Sequence, residues 1–359
     1  MKILMTLVCI TVVLSGLSLA LLMGCEGGSI ATLYVGGFAT GKIYAINPNS
    51  KELITTIDLP VGAQPDWLTL SPDNKKLYCS SNFIDGSNPR VYVIDTETNT
   101  YEGEVNVGSS PRGIAFTPDG SKATVVCTGG SDIALIDAAT LTYNKDISDT
   151  IYGFSGSGGI AIHPTINKLY AAETNGGVGV ADVQGGASIS YYRPARPSGS
   201  LIDVAITSDG TSLFATGHYY WSGSADAYLD FSLSQADGSI TGESVKEIGG
   251  YMANLGRITV RPDDQVVYAP ILSESLIDYF TTADPSTVWD IDVSAHVSGY
   301  YGPRHIAFSD DSKFGFVLID DYGDGPTDDL IVVLHTSDNS IVGTIDLPEC
   351  DPKSIVYKP

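Results

Sequence analysis

The sequence predicts an all-β fold, a seven-bladed β-propeller whose blades each contain four strands. One short phrase is repeated along the chain, and its most complete copy is PRGIAFTPDG at residues 111–120. Aligned on the turn that ends the phrase, the seven copies are anchored at Pro72, Pro118, Pro164, Ser208, Pro262, Asp310 and Pro359. The intervals of 46, 46, 44, 54, 48 and 49 residues are typical of propeller blades.

The elements of one blade follow from local chemistry. In the first strand, Ile114 and Phe116 point to one side and Ala115 to the other, which suits a sheet packed between two neighbouring sheets. The Pro-Asp-Gly that follows is hairpin chemistry, because Pro fixes φ, Asp caps the turn and Gly accepts a positive φ. In the preceding copy, a second strand (KLYC, 76–79) and a third (VYVID, 91–95) come next, and an Asp-Thr-Glu-Thr turn leads to a fourth.

The two ends of the repeat region complement each other. The last copy supplies one strand and stops at Pro359, whereas residues 32–35, 42–46 and 54–59 supply three strands with no first strand before them. We therefore expect the N-terminal strands to join the C-terminal strand in a seventh blade, which closes the ring and removes free sheet edges. One propeller then occupies residues 31–359.

Two stretches carry a resemblance to a known family. PRGIAFTPDG and KLYCSSN (76–82) resemble the YVTN-type propeller repeats of microbial surface proteins, which are similar to lactonase-like seven-bladed propellers. The resemblance covers the chain after residue 30. It implies a propeller fold and leaves three kinds of function open: a surface binding protein, a lactonase or lactonising isomerase, and an electron-transfer or quinone-cofactor enzyme.

The N-terminus predicts export and membrane attachment. After Lys2, residues 3–23 are free of charge and are followed by Gly24 and Cys25. This pattern resembles a bacterial lipobox, which makes residues 1–24 a signal peptide and residues 25–30 a lipidated Cys25 with a short linker. The alternative is an uncleaved anchor helix, since the apolar run is long enough to span a bilayer. Both alternatives predict a membrane-anchored protein outside the cytoplasm, at the cell surface or in the periplasm.

The net charge limits the ligands that the chain is expected to bind, and the cysteine count limits the disulfides that it can form. The net charge of −23 argues against nucleic acid as a ligand. Beyond the N-terminal segment three cysteines remain, Cys79, Cys127 and Cys350; the odd number leaves a Cys79–Cys127 disulfide open.

The arginines gather on one face of the predicted disc. We call the face that carries the links between blades the connection face, and the face that carries the turns between first and second strands the hairpin face. Six of the seven arginines fall on the connection face: Arg90, Arg112, Arg193, Arg196, Arg257 and Arg304. Most lysines lie near the hairpin face, and Lys353 is the exception.

Equivalent blade positions predict an anion site at the connection-face mouth of the central channel. The predicted ligand-binding residues are Arg112, Arg257, Arg304, Lys353, Trp67 and Tyr301. Guanidinium groups converging on a funnel suit a carboxylate or phosphate. The alternative is that the arginines pair with Asp66, Asp203 and loop aspartates and hold the blades together.

Two further features are candidates for chemistry. Arg304 and His305 are the candidate catalytic residues, with His305 as a general acid or base. Lactonase-like propellers place a His directly after the motif Pro, and here Arg304 takes that place. The acidic loop 320–329 offers Asp320, Asp321, Asp324 and Asp328 as calcium ligands, although the spacing also fits a solvated acidic loop.

The sequence thus favours a lipid-anchored binding module that uses its Arg- and Tyr-rich connection face, with a protein, a glycan or a small anion as partner. The alternative is a lactonase-like hydrolase or lactonising isomerase that acts on a small carboxylate at the channel mouth.

Overall fold

Among the residues that the structure describes, nearly every regular element is a β-strand. The computed structural model describes residues 30–81, 89–130, 132–148, 158–184, 189–194, 199–219, 225–248, 255–297, 302–320 and 329–359. The first three strands are β1 (Thr32–Gly37), β2 (Lys42–Asn47) and β3 (Glu52–Asp58). Blade 1 contains β4 (Pro65–Leu70), β5 (Lys76–Ser81), β6 (Arg90–Asp95) and β7 (Thr100–Asn106). Blade 2 contains β8 (Pro111–Phe116), β9 (Lys122–Cys127), β10 (Asp132–Asp137) and β11 (Thr142–Ser148).

The remaining blades repeat this order along the chain. Blade 3 contains β12 (Ile160–Ile162), β13 (Lys168–Ala172), β14 (Val178–Asp182) and β15 (Ser190–Tyr192). Blade 4 contains β16 (Gly199–Ile206), β17 (Ser212–Tyr219), β18 (Ala225–Leu233) and β19 (Ile240–Ile248). Blade 5 contains β20 (Thr259–Val260), β21 (Val266–Ile271), β22 (Leu276–Thr281) and β23 (Asp284–Asp292), followed by a 3-10 turn at Ser294–His296. Blade 6 contains β24 (Pro303–Phe308), β25 (Phe314–Ile319), β26 (Leu330–His335) and β27 (Ser340–Asp346), and the last strand is β28 (Pro352–Lys358).

The strands form seven antiparallel four-stranded sheets arranged as a propeller, which confirms the predicted fold class. The sheet that closes the ring, blade 7, has the order β28-β1-β2-β3, with Leu33 opposite Tyr357. The first strand of each blade contacts the first strand of the next blade all the way around, so these seven strands surround the central channel. The predicted joining of the two ends is therefore confirmed.

Alternation of side chains along each strand packs neighbouring blades together. In β8, Ile114 and Phe116 lie in a cluster with Tyr78 and Val93 of blade 1. Ala115, between them, packs on the other side against the cluster shared with blade 3. Burial of both faces of every sheet supplies the apolar area that stabilises a ring without a single central core.

Buried tyrosines link some blades to their neighbours. The hydroxyl of Tyr34 donates to Asn99 Oδ1 at 2.6 Å, and that of Tyr170 donates to the carbonyl of Gly238 at 2.5 Å. Tyr268 makes the corresponding bond to Asn339 at 2.8 Å, and Tyr78 makes a longer one to a carbonyl of blade 2 at 3.4 Å. At the equivalent place blades 2, 4 and 6 carry Thr124, Phe214 and Phe316.

The hairpin turns take the conformation that their residues predict. Gly120 has φ +67°, and Asn74 at the same place in blade 1 has φ +58°. Asp119 accepts hydrogen bonds from Thr117 Oγ1 at 2.7 Å and from the backbone N–H of Ser121 at 3.0 Å. These bonds stabilise the carboxylate and lower the pKa of Asp119 to about 2.

Cys79, Cys127 and Cys350 are buried, and no disulfide joins them in the described part of the chain. The residues described also include no helix long and apolar enough to cross a membrane. The predicted signal peptide (1–24) and Cys25 lie outside the described residues.

Candidate functional site

A cavity of about 130 Å³ lies where the first strands begin, at the connection-face end of the channel. Its lining residues are Asp66, Trp67, Arg112, Ile202, Asp203, Leu255, Gly256, Arg257, Leu272, Arg304 and Lys353. The structure thus brings together five of the six predicted ligand-binding residues. The sixth, Tyr301, lies outside the described residues.

The lining residues come from two successive positions of the repeat. The upper ring holds the residue after the motif Pro or its equivalent: Asp66, Arg112, Gly158, Ile202, Gly256, Arg304 and Lys353. The lower ring holds the next residue of each blade: Trp67, Gly113, Gly159, Asp203, Arg257, His305 and Ser354.

A β-bulge places the upper-ring side chains. In β4, β16, β24 and β28 the pairing register shifts around Asp66, Ile202, Arg304 and Lys353, and β8 shifts across Arg112. A bulged residue has no partner on the neighbouring strand, so the bulge redirects its side chain. This feature explains how charged residues within tightly packed first strands turn towards the mouth.

Arg257 forms the floor of the cavity by reaching across the channel from blade 5. Its Nη1 donates to Ser354 Oγ at 2.9 Å, and its Nη2 donates to the carbonyl of Asp66 at 2.8 Å. The guanidinium also lies 3.6 Å from the centre of the Trp67 ring, a cation–π contact. Burial lowers the pKa of Arg257 to about 10, opposed by the charges of Asp66 and Asp203, so Arg257 stays protonated at neutral pH.

Two other arginines are fixed by carboxylates but keep free donors. Arg112 Nη1 donates to Asp66 at 2.5 Å, and Arg304 Nη2 forms an ion pair with Asp320. In the described part of the chain, the Nε atoms of both arginines are buried and have no hydrogen-bond partner. The interblade pairing that the sequence left as an alternative is therefore present for Arg112. The two side chains are still 32% and 24% exposed, so parts of both guanidinium groups can meet an anion in the cavity.

Lys353 completes the cationic side. Its Nζ lies 3.2 Å from Asp320 Oδ2 and also pairs with Asp351. Asp320 is only 1% exposed, and it accepts from both Arg304 and Lys353. Asp320 therefore serves as a partner of the mouth cations.

Asp203 is a cavity carboxyl with a strongly raised pKa. The side chain is 3% exposed, and its Oδ1 accepts the backbone N–H of Val204 at 2.9 Å. Burial raises the pKa of Asp203 to about 7, against the opposing charge of Arg257 and the backbone hydrogen bonds. Gly159 of blade 3 lets the backbone of blade 4 come close at Asp203, because a Cβ at Gly159 would lie 2.4 Å from the Asp203 Cα.

His305, the candidate acid or base, lies in the lower ring and bonds the backbone, and its catalytic role stays a prediction. Its Nδ1 accepts the backbone N–H of Ile355 at 3.3 Å, and it is not part of the cavity lining. Burial, with the charge of Arg257 second, holds the pKa of His305 well below its ordinary value. A ring that stays neutral and bonds the backbone fits a structural position better than proton transfer.

Of the four predicted calcium ligands, the structure describes Asp320. Asp320 takes part in the ion pairs above, and Asp329 accepts the backbone N–H groups of Cys350 and Asp351. The described residues contain no group of three or more His, Cys, Asp or Glu side chains placed to hold a metal. Asp321, Asp324 and Asp328 lie outside the described residues, so calcium binding stays a prediction.

Sequence reasoning missed the role of Asp203 and the aliphatic residues Leu255 and Leu272. A signal for Asp203 was available, because a carboxylate stands at the lower-ring position where other blades carry Arg257 and His305. No signal placed Leu255 or Leu272 at the cavity, since both lie outside the repeated phrase.

The sequence matches no protein-family profile and no curated protein. Solved structures share its fold. The periplasmic gluconolactonase of Pseudomonas aeruginosa has a TM-score of 0.68 at 14% identity, covering 92% of this chain and 99% of that chain. A protein of Bacteroides fragilis proposed to be a 6-phosphogluconolactonase has a TM-score of 0.69 at 16% identity, covering 92% and 98%. Hydrazine synthase of Kuenenia stuttgartiensis has a TM-score of 0.67 at 18% identity, covering 88% and 92%. At these identities the likeness shows the fold alone. Lactonase-like propellers are among the structures that share this fold.

Proposed function

We propose that this chain is a lactonase-like hydrolase that opens a small lactone at the mouth of the propeller channel. The observation that carries the proposal is Asp203, a cavity carboxyl with a pKa of about 7 in a site lined by Arg112, Arg257, Arg304 and Lys353. A base whose pKa lies near the working pH, close to cations that stabilise an oxyanion, is what ester hydrolysis requires.

Asp203 and the arginines would divide the work of lactone hydrolysis between proton transfer and charge stabilisation. The Asp203 carboxylate takes a proton from water, and the water oxygen bonds to the lactone carbonyl carbon. The negative charge that develops on the carbonyl oxygen is stabilised by the arginines that line the cavity and remain partly exposed in it. The ring C–O bond then breaks as the carbonyl double bond re-forms, and the leaving oxygen takes the proton from Asp203. The new carboxyl group releases its own proton to solvent, so the product is a hydroxy carboxylate. Its new carboxylate is a ligand for the same cations.

The test is hydrolysis of γ-valerolactone and gluconolactone by the full chain, followed in a pH-stat against a buffer blank. We expect kcat/KM to rise with pH to a plateau above about 7, because the reaction needs ionised Asp203. Asp278→Asn is the control, since Asp278 is a buried acid of raised pKa bonded to Tyr228 away from the cavity. Absence of turnover on every lactone tested, or an unchanged rate in Asp203→Asn, would refute the proposal.

A binding module is the second candidate, and the fixed cations favour it. Arg112, Arg257, Arg304 and Lys353 are each held by a carboxylate or an aromatic ring, which is the pre-organised state of a receptor. Retention of a small anion by a protein that hydrolyses no lactone would favour this candidate.

We also propose that the protein acts outside the cytoplasm, attached through a lipid on Cys25. The supports are the uncharged run 3–23 before Gly24 and Cys25, and a fold shared with a periplasmic enzyme. The test is incorporation of labelled palmitate in a bacterial host, which we expect to be lost in Cys25→Ala. Label retained in that variant would contradict the proposal.

A further inference from the structure

The upper ring is divided into two unlike halves. Four consecutive blades, 6, 7, 1 and 2, contribute the charged residues Arg304, Lys353, Asp66 and Arg112. The other three, blades 3, 4 and 5, contribute Gly158, Ile202 and Gly256, which carry no polar side-chain atom. The upper ring is therefore charged on one side and uncharged on the other, while Asp203 and Arg257 lie one residue further along the chain in the lower ring.

Aliphatic side chains extend the uncharged half into a wall of the cavity. Leu255 and Leu272 line the cavity at 6% and 8% exposure, and Ile202 joins them from blade 4. Leu255 belongs to a small apolar cluster with Ile271, against which Ile202 packs. This cluster fixes the wall, so a ligand meets a preformed apolar surface there.

We propose that the mouth selects small organic anions with an aliphatic skeleton over polyhydroxylated anions of the same size. The proposal rests on the proposed function, because it names the substrate and product class of the same site. A carboxylate is held by Arg112, Arg304 and Lys353, and the carbon chain lies against Ile202, Leu255 and Leu272. A hydroxyl group turned to that wall loses its hydrogen bonds to water without gaining others.

The cavity volume limits the ligand to a small one. An engineered protein cavity of about 150 Å³ binds benzene, and the mouth cavity measures about 130 Å³. A short carboxylic acid or a five- or six-membered lactone fits this space. A hexose lactone of the same ring size would bring its hydroxyl groups against the aliphatic wall, where they gain no hydrogen bonds.

The test is a ligand-observed NMR titration of the full chain with pentanoate, glycerate and pentanamide, which have equal numbers of non-hydrogen atoms. Pentanoate and glycerate share the charge and differ in the skeleton, whereas pentanamide keeps the skeleton and lacks the charge. We expect pentanoate to bind at least about tenfold more tightly than either of the others. Equal affinity for pentanoate and glycerate, or tighter binding of glycerate, overturns the proposal.

Pairs of variants, one in the cavity lining and one outside it, test which residues cause the selectivity for pentanoate. Leu255→Ser should bring the pentanoate-to-glycerate ratio towards one, while Val342→Ser, at an exposed apolar residue of β27, should leave it unchanged. Arg112→Gln should bring the pentanoate-to-pentanamide ratio towards one, while Arg90→Gln, at an outer-strand pair with Glu104, should not. Ratios that fall equally in both members of a pair contradict the proposal, and circular dichroism melting checks that each variant folds.

Asp203→Asn separates this inference from the proposed function. This variant should lose turnover and keep the preference for pentanoate, because an amide of nearly the same shape still occupies the floor while the wall and the arginines are unchanged. Selective binding without turnover in the wild type refutes the hydrolase and keeps the ligand class. Turnover of γ-valerolactone and gluconolactone at equal efficiency supports the hydrolase and refutes the ligand class.

Discussion

Strand β16 and the turn that follows it show how one repeat serves two purposes. At the hairpin end, Asp209 accepts hydrogen bonds from Thr207 and Thr211, and these bonds lower its pKa. At the connection end, Asp203 is buried in the cavity floor, and desolvation raises its pKa to about 7. The pKa values of two carboxyl groups six residues apart, one within β16 and one in the turn after it, are thus shifted in opposite directions, one group being a turn cap and the other a candidate base.

The same contrast extends to other blades, four of which share the turn bond described next. The hairpin end repeats one device, a Ser or Thr that donates to the Asp two residues later: Ser71 to Asp73, Thr117 to Asp119, Thr207 to Asp209 and Ser309 to Asp311. The upper ring, by contrast, changes from carboxylate to arginine to glycine to isoleucine between consecutive blades. In a repeat protein, the positions that depart from the repeat are the ones where function is to be sought.

The largest expected effect comes from replacing Asp203 in β16, with Asp209 in the following turn as its comparison. Asp203→Asn should lower kcat/KM for the hydrolysed lactone by about 10²–10⁴-fold, because it removes the general base. Asp209→Asn should leave kcat/KM unchanged and lower the stability by no more than about 1 kcal/mol, as expected for an exposed turn bond. Lactone kinetics and urea unfolding of both variants check this pair. Equal activity losses in the two variants would contradict the role of Asp203 as the general base.

The next effect is the pH dependence of stability at Asp203. Between pH 3.8 and about 7, folded Asp203 keeps a proton that the unfolded chain has released, so wild-type stability falls as the pH rises through this range. Asn cannot ionise. The stability of Asp203→Asn relative to wild type should therefore increase from pH 4 to about 7 and then level off. Urea unfolding at several pH values measures it, and a constant difference would contradict the raised pKa.

A smaller effect is expected at the tyrosine links between blades. Tyr170→Phe leaves the buried carbonyl of Gly238 without its donor and should cost about 1–2 kcal/mol. Tyr279→Phe is the control, since no hydrogen bond of the Tyr279 hydroxyl is found among the described residues, and it should change stability by less than about 0.5 kcal/mol. Equal losses in the two variants would show that ring packing, rather than the bond to blade 4, stabilises this junction.

The smallest effect concerns the turn caps in acid. The pKa of Asp119 is lowered from 3.8 to about 2, so its carboxylate stabilises the fold above pH 3.8 and loses this contribution as the pH falls to about 2. The stability difference between wild type and Asp119→Asn should accordingly be complete at pH 5 and close to zero at pH 2. Thermal unfolding across that range is the measurement. A difference that persists at pH 2 would mean that the cap does not act through its charge.

Much of the fold could be predicted because the repeat is local. Alternation around Ile114 fixes which side chains face each neighbouring blade, and the Pro-Asp-Gly turn fixes the hairpin. The residues of the mouth could also be grouped, since equivalent blade positions lie on one ring. Their chemistry could not be predicted in the same way. Whether Asp203 is a base or an ion-pair partner depends on burial, and the contact of Arg257 with Trp67 joins blades 5 and 1 across the channel, which sequence spacing does not encode.

The measurement that tests the central claim most directly is a carboxyl ¹³C NMR titration of Asp203 and Asp209 in the same sample, assigned with the two Asn variants. The account predicts that Asp203 titrates with a midpoint near 7 and Asp209 below its ordinary pKa. If both carboxyl groups titrate near 4, the mouth carboxyl is an ordinary solvated aspartate, and the proposed hydrolytic site loses its base.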